Sequence, residues 1–195
     1  SCPTSLAFTS NNAPGNAIIV GIRLGNTTDV PVVTDSTGNT YTEDRRQEVS
    51  TIRTFIFSAP NIAGGANTVS VSTCGGIRWA IHEYSGLATS AILDQTTSGS
   101  GTGTSTDSGN VTTTQDEELL FGANGNSLTE TVTAGTGYTL REDVATGVLV
   151  TEDRIVGVTG TYNATTSFSI IANWAMLIAT YKAAVPPRAM TGVGR

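Results

Sequence analysis

The segment WAIHEYSGL, residues 79–87, gathers several side chains that can transfer protons. It contains His82, the only histidine of the chain, followed directly by Glu83, Tyr84 and Ser85. Histidine and carboxylate side chains are the usual general acids and bases of enzymes, so this segment is the first candidate for an active site. Chemistry at one substrate requires these groups to converge, and their convergence depends on the backbone that carries them.

The alternation of apolar and polar residues in this segment predicts a β-strand. Successive side chains of a strand point to opposite faces, so Glu83 faces away from His82 and Tyr84. The adjacent histidine and glutamate therefore cannot act on one substrate, and we expect structural roles for both. We predict no catalytic residue in this chain, because a Ser-His-Asp triad would have to use His82 and no GxSxG turn is present.

Adjacent acidic residues form a second set of candidates, because glycoside hydrolysis uses two carboxyl groups. Acidic pairs occupy positions 142–143 and 152–153, and a strand would divide each pair between its two faces. Arg141 and Arg154 flank these pairs, so ion pairing at the surface is the simpler expectation. A hydrolase that uses outer-face carboxylates is accordingly the weakest of the functions considered.

Two polar segments offer oxygen ligands for calcium, the one cofactor that the sequence raises. Asp35 and Asn39 lie in the turn DSTGN, and Asp116 and Glu117 begin the acidic run DEE. Solvated turns are the simpler interpretation of both segments. Zinc sites with two or more histidines are excluded because the chain has a single histidine.

The composition places these candidates on an all-β scaffold. The 195 residues fit one domain, and charged residues are only 13% of the chain. Alternation of period two recurs along the chain; in NAIIVGIRL, Ile18, Val20 and Ile22 share one face. Roughly ten or more short strands separated by turn residues are typical of a β-sandwich or barrel. We predict a single two-sheet antiparallel β-sandwich of jelly-roll type over residues 1–182, with one core between the inner faces.

Two segments lack the pattern of a core. Residues 96–109, TTSGSGTGTSTDSG, carry no aliphatic or aromatic side chain and predict a long surface loop or an extended edge. Residues 183–195 follow the last apolar run and include Pro186 and Pro187, which would end a strand. This segment predicts an exposed tail or the stub of a linker.

The two cysteines, Cys2 and Cys74, are predicted to form a disulfide. An even number of cysteines in a chain rich in threonine, serine and glycine suits an oxidising compartment. Closing a loop of about 70 residues would stabilise the fold by roughly 4 kcal/mol in the chain-entropy model. Two buried free thiols are the alternative.

The net charge of −6 counts against binding to nucleic acids or to anionic membrane surfaces. The longest apolar run, residues 174–179, is far shorter than the ~20 residues that span a bilayer, so no membrane insertion is expected. Aromatic residues are only 6% of the chain, but Tyr41, Tyr138 and Tyr162 fall near predicted loops and could stack on sugar rings. A glycan is therefore one candidate partner.

Several segments together resemble a family of modules found in large secreted and cell-surface proteins of environmental bacteria. The resemblance spans nearly all of residues 18–182 and lies in turns, strand starts and a last strand that contains tryptophan. It implies a jelly-roll-like sandwich, an extracellular location and neighbouring immunoglobulin-like or other repeat modules, but no established activity. The family's EYSG pattern within IHEYSGL supports structural roles for Glu83 and Tyr84. The resembling segments are VTDSTGNTYT, APNIAGGANTVSVS, IHEYSGL, DEELLFGANG, EDRIV and FSIIANWAMLIATYK.

These observations predict a non-enzymatic extracellular structural module that acts in adhesion or self-assembly, as a filament or surface layer. Exposed sheet edges pair with other chains unless they are blocked, and lysine, a usual blocker, occurs only once. The chain ends are the predicted assembly segments, through Leu6 and Phe8 at one end and Val185 and Met190 at the other. Pairing of the N-terminal segment within its own sandwich is the alternative. The alternative function is a carbohydrate-binding module, assisted by calcium.

Overall fold

A computed structural model describes residues 2–73, 75–129 and 131–184. The described residues form fifteen strands, all paired antiparallel, and contain no helix, which confirms the predicted all-β class. No helix among them is therefore long and apolar enough to cross a membrane. The strands are β1 (Thr4–Ala7), β2 (Ala17–Leu24), β3 (Val33–Asp35), β4 (Thr42–Val49), β5 (Ile52–Ala59), β6 (Thr68–Val71), β7 (Arg78–Tyr84), β8 (Leu93–Ser105), β9 (Val111–Thr112), β10 (Glu118–Asn126), β11 (Val132–Ala134), β12 (Thr139–Val144), β13 (Leu149–Val156), β14 (Thr161–Tyr162) and β15 (Thr166–Lys182).

Two larger sheets face each other. One has four strands in the order β4-β5-β2-β7, and the other has six, in the order β11-β15-β10-β13-β12 with β8 also paired to β15. Contacts between the sheets follow the strand order, from β4 against β8 and β15 to β7 against β12. Sheets that pack face to face in this way are consistent with the predicted β-sandwich.

Two small sheets cover the outer faces of the larger ones. The sheet β1-β6-β3 packs against the four-stranded sheet, where Val69 and Val71 contact the apolar face of β2 that carries Ile18 and Val20. The pair β9-β14 covers the six-stranded sheet, where Val111 packs with other buried side chains of that layer. Because both faces of the central strands are covered, β5 and β10 are buried along their whole length.

The prediction of one core between two inner faces is wrong. The apolar face of β2 points outward to the small sheet, so the largest apolar cluster lies outside the sandwich interface. A separate cluster fills the space between the two larger sheets, with Ile19, Phe121, Leu177 and Tyr181 among its members. Polar side chains complete that layer, and they form the candidate site described below.

Residues 93–105 form a strand of 13 residues, where the sequence predicted a loop or an extended edge over residues 96–109. The strand β8 pairs with β15, and this ladder needs main-chain groups rather than apolar side chains. Side chains of β4 bind its polar face, since Arg45 Nε donates to Ser98 Oγ at 2.9 Å. Gly101 allows the ring of Trp174 to approach, because a Cβ there would lie 2.9 Å from Trp174 Cζ2. The surface-loop interpretation is therefore wrong for most of this segment.

The last strand, β15, is a single element of 17 residues. Its second half, which contains the apolar run WAMLIATY, is buried on both faces. In its first half the register with β8 shifts between Ser167 and Ala172. Ile170 and Ile171, which lie within this irregularity, are 44% and 68% exposed.

The N-terminal segment pairs within its own fold, which is the alternative to its predicted role in assembly. In the β1–β6 ladder Leu6 lies opposite Val69, and Phe8 packs against the outer apolar cluster. Leu6 remains 38% exposed. Val185 and Met190 lie outside the described residues, so their role in assembly stays a prediction.

The predicted disulfide also involves a residue outside the described part of the chain, Cys74. Among the described residues no cysteine is free. Pairing of Cys2 with Cys74 therefore stays a prediction.

Candidate functional site

Strand β7 separates Glu83 from His82, as the alternation predicted. Glu83 lies on the outer face and accepts hydrogen bonds from Ala13 N at 2.8 Å and from the side-chain amides of Asn12 and Asn16, both at 2.7 Å. These three donors satisfy a carboxylate that is partly buried. Glu83 therefore anchors the loop before β2, which is the structural role expected from the sequence.

His82 and Tyr84 point between the two larger sheets. His82 Nε2 lies 3.0 Å from Thr151 Oγ1, and the imidazole ring packs 5.3 Å from the ring of Phe121. Burial lowers the pKa of His82 to about 4, although the nearby Asp153 opposes this shift. The imidazole is therefore neutral at neutral pH and is held by packing and by one hydroxyl group.

Asp153 of β13 connects the two sheets. Its Oδ2 accepts a hydrogen bond from Tyr84 OH at 2.7 Å and another from Arg141 Nε at 2.8 Å. The Asp153 side chain is 4% exposed, whereas that of Arg141 on β12 is 48% exposed. The ion pair expected at the surface is therefore buried at its carboxylate end, where it joins β7, β12 and β13.

Glu152 lies on the opposite face of β13, so the predicted division of the 152–153 pair is confirmed. Its Oε2 accepts a hydrogen bond from Gly135 N at 2.8 Å. Burial raises the pKa of Glu152 to about 7, despite that hydrogen bond and one from the backbone of Thr165. The two carboxyl groups of this pair act in different layers and cannot serve one reaction centre.

A cleft of about 470 Å³ opens beside the inner polar cluster. It is bordered by His82, Tyr84, Arg141 and Ile155, the last of which is 80% exposed. A second cavity of about 270 Å³ shares Tyr84 and Ile155 with it and extends along the same edge of the sandwich. Glu83 and Ser85 also border the cleft, so it offers a guanidinium group, a carboxylate and a hydroxyl group beside apolar surface. Its imidazole and phenol are already hydrogen-bonded to Thr151 and Asp153.

The two predicted calcium segments are built into turns. Asp35 accepts hydrogen bonds from Asn39 N at 3.0 Å and from Tyr41 OH at 2.9 Å. Asp35 and Asn39 therefore lie side by side, but as acceptor and donor of a hydrogen bond. Asp116 Oδ1 accepts a hydrogen bond from Thr159 N at 2.7 Å, while Glu117 adopts a positive φ of 58°. Across residues 2–73, 75–129 and 131–184, no group of three or more histidine, cysteine, aspartate or glutamate side chains is arranged to hold a metal.

The three tyrosines considered for sugar stacking are all partly buried. The hydroxyl group of Tyr41 donates to Asp35 Oδ2, that of Tyr138 to Asn163 O and that of Tyr162 to Val158 O. Their rings also pack against neighbouring clusters or, for Tyr162, beneath Arg154. They therefore support the loops and do not form an exposed aromatic platform.

Sequence reasoning missed a third polar cluster, which surrounds the only lysine. Lys182, the last residue of β15, lies opposite Glu118 in the β10–β15 ladder. Its Nζ is 3.4 Å from Oδ1 of Asp94, which lies near the start of β8. The single lysine was the available signal, but its two acidic neighbours are distant in sequence and become neighbours only through strand pairing.

The opposite pKa shifts of His82 and Glu152 predict opposite effects on stability between pH 7 and pH 5. A histidine with a lowered folded pKa stabilises the fold above its unfolded pKa, and this contribution is lost as the pH falls. A glutamate with a raised folded pKa stabilises the fold at low pH, and this contribution is lost as the pH rises towards about 7. Relative to the wild type, His82→Gln should gain about 2 kcal/mol and Glu152→Gln should lose about 2 kcal/mol on going from pH 7 to pH 5.

Urea denaturation of the two variants and the wild type at both pH values measures these differences. Each variant is compared with the wild type at the same pH, so the contribution of Asp44, whose pKa burial raises to about 6, cancels. Shifts of the same sign in both variants would contradict the assignment of a neutral His82 and a neutral Glu152.

No protein-family model, curated protein or solved structure matches the chain. The resemblance to modules of secreted and cell-surface proteins therefore remains an expectation from the sequence segments quoted above.

Proposed function

We propose that this chain is a non-enzymatic structural module of the cell exterior that associates laterally with copies of itself, in a filament or surface layer. The proposal includes the jelly-roll connectivity and the extracellular location that the sequence resemblance implies. Low charge and abundant glycine support a durable β-rich surface. The single observation that carries the proposal is the outer edge of β8.

Over residues 96–103, β8 is an edge strand without the features that usually prevent pairing, because the two register shifts of its ladder with β15 lie outside this stretch. Among the described residues it pairs with β15 alone. Its sequence, LDQTTSGSGTGTS, contains no lysine and no proline, and its only charged residue is Asp94 near the start. Long edge strands of this kind are templates for pairing with another chain.

The edge strands β4 and β12 are protected, and this contrast supports a special role for β8. Strand β12 carries the consecutive charged residues Arg141, Glu142 and Asp143 and a register shift beside them. Strand β4 has the charged sequence TEDRRQEV and a register shift as well. Charges and bulges are the common means by which sheets avoid edge-to-edge contact.

Two copies related by a two-fold axis would join their β8 strands antiparallel. The interface would then be the same surface of both molecules, which makes a closed pair. Growth of such pairs into a filament or layer would need a second contact, for which the chain ends are the predicted segments. Small serine, threonine and glycine side chains allow the two strands to approach without steric conflict. Neighbouring surface modules with an open edge could bind in the same manner, which is how the module would take part in adhesion.

Lysine introduced on β8 should abolish this association. Ser100 and Thr104 are exposed positions of the strand, and the double variant Ser100→Lys/Thr104→Lys would place four like charges across a two-fold β8 pair. We expect light scattering at high protein concentration to show larger particles for the wild type and monomers for the variant. Thr139→Lys, on the exposed edge strand β12, is the matched control and should behave like the wild type.

A wild-type protein that stays monomeric at high concentration would overturn the proposed association, as would equal loss of association in the Thr139→Lys control. In the first case the cleft at His82 and Arg141 would be the better-supported site. Carbohydrate binding would then be the remaining function, and a glycan array would be its measurement.

A further inference from the structure

We propose that Lys182 and Asp94 are joined by an intramolecular amide bond, and that Glu118 transfers the protons needed to form it. The bond would link the end of β15 to the start of β8, across neighbouring strands of the six-stranded sheet. The inference concerns a self-modification of the chain and does not depend on its association with other copies.

The reacting groups are held within contact distance. Lys182 Nζ lies 3.4 Å from Asp94 Oδ1, and the Asp94 side chain is only 2% exposed. The Lys182 side chain is 31% exposed, so it is mostly enclosed but retains a path to solvent. The attacking nitrogen is therefore held beside the carboxyl group, as in an intramolecular reaction, in which the entropy cost of bringing two molecules together is absent.

Thr114 supplies hydrogen-bond donors to the Asp94 carboxyl group. Its backbone N donates to Asp94 Oδ2 at 2.7 Å, and its hydroxyl group donates to Asp94 Oδ1. Attack on the carboxyl carbon places negative charge on one of these oxygens. A fixed N–H donor at that position stabilises the charge, as the donors of an oxyanion hole do in acyl transfer.

Glu118 is placed to transfer protons. It is 1% exposed, lies opposite Lys182 in the ladder and interacts with the carboxyl group of Asp94 and with Thr180. Burial and the adjacent Asp94 raise the pKa of Glu118, so its carboxyl group is protonated more readily than usual. Neither of its oxygens makes a well-formed hydrogen bond, which is uncommon for a buried carboxyl group that serves only packing.

The reaction balances without an oxidant or cofactor. Although burial raises it, the hydrogen bonds from Thr114 lower the pKa of Asp94 overall, so this group starts as a carboxylate, whereas Glu118 has a raised pKa and starts as the acid. Glu118 gives its proton to Asp94 and takes one from the Lys182 ammonium, which leaves a neutral amine beside a neutral Asp94 acid and returns Glu118 to its acid form. The amine nitrogen then bonds to Asp94 Cγ. Glu118 takes a proton from that nitrogen and gives its own to the departing hydroxyl group, so one water molecule leaves and Glu118 regains its initial state.

The bond would also serve the fold. Strand β8 buries few apolar groups of its own and depends on its ladder with β15. A covalent link at one end of this ladder would prevent β8 from separating there. The proposed modification therefore stabilises a strand that buries few apolar side chains of its own.

Mass spectrometry of the full chain tests the proposal. After reduction of any disulfide, we expect the wild type to be lighter than its sequence mass by one water molecule. Trypsin should release a branched peptide in which residues 79–141 are joined to residues 155–188, without cleavage after Lys182. Amine-reactive reagents should label only the N-terminus, because Lys182 is the only lysine.

Variants identify the residues responsible. Glu118→Gln keeps the shape of the side chain but cannot transfer protons, and Lys182→Arg removes the nucleophile, so both should have the full sequence mass. Glu117→Gln, an exposed neighbour, is the matched control and should lose one water molecule like the wild type. A wild type with its full sequence mass, or a peptide cleaved after Lys182, would overturn the proposal. Both of these outcomes are measured on the wild type, so they do not depend on whether any variant folds.

Discussion

Replacement of Phe121 by alanine is expected to lower the free energy of unfolding by about 3–5 kcal/mol. Phe121 is fully buried in β10, between the two larger sheets, and its ring packs against His82 and Tyr84 at centroid distances of 5.3 and 6.3 Å. Alanine would leave a cavity bordered by these rings, which are themselves held by cross-sheet hydrogen bonds and cannot readily move to fill it.

Urea denaturation of Phe121→Ala measures this loss. Ile155→Ala is the control, because Ile155 lies in the adjacent strand but is 80% exposed. Its free energy of unfolding should change by no more than about 0.5 kcal/mol. Similar losses in the two variants would mean that the layer between the sheets does not hold the sandwich together.

Replacement of Asp153 by alanine is expected to cost about 3 kcal/mol. The change removes the acceptor shared by Tyr84 and Arg141 and leaves the largely buried phenol without a hydrogen-bond partner. It also removes the side-chain contact that connects β7 to β12 and β13. Urea denaturation at pH 7 measures the effect.

Glu142→Ala is the control for Asp153→Ala. Glu142 is an acidic residue of β12 with an exposed side chain, so its removal should change the free energy of unfolding by no more than about 0.5 kcal/mol. Equal effects in the two variants would show that the Asp153 contacts add no stability beyond that of a surface charge.

Elements defined by side-chain alternation could be predicted from the sequence. The alternation within residues 79–87 predicted strand β7, and it alone places Glu83 on the face opposite His82. Strand β8 could not be identified with certainty in this way, because hydrogen bonds to β15 and side chains from β4 hold it without an apolar pattern. The two small sheets that cover the outer faces of the larger ones were also not predicted. An apolar face in the sequence does not specify which sheet will cover it.

The polar clusters depend on register between distant strands. The contact between Tyr84 and Asp153 requires β7 and β13 to face each other across the sandwich, and neither strand's own sequence encodes that alignment. The approach of Asp94 to Lys182 likewise requires the β8–β15 ladder. Sequence patterns predicted the directions of individual side chains, whereas the groups they meet were set by tertiary packing.

Association through β8 is tested most directly by amide hydrogen exchange measured at low and high protein concentration. We expect the amides of β8, residues Leu93–Ser105, to exchange more slowly at high concentration, because a second copy would occupy the outward-facing groups of that strand. Amides of the charged edge strand β12 should exchange at the same rate at both concentrations. Unchanged exchange in β8, or slowing confined to another strand, would contradict the account.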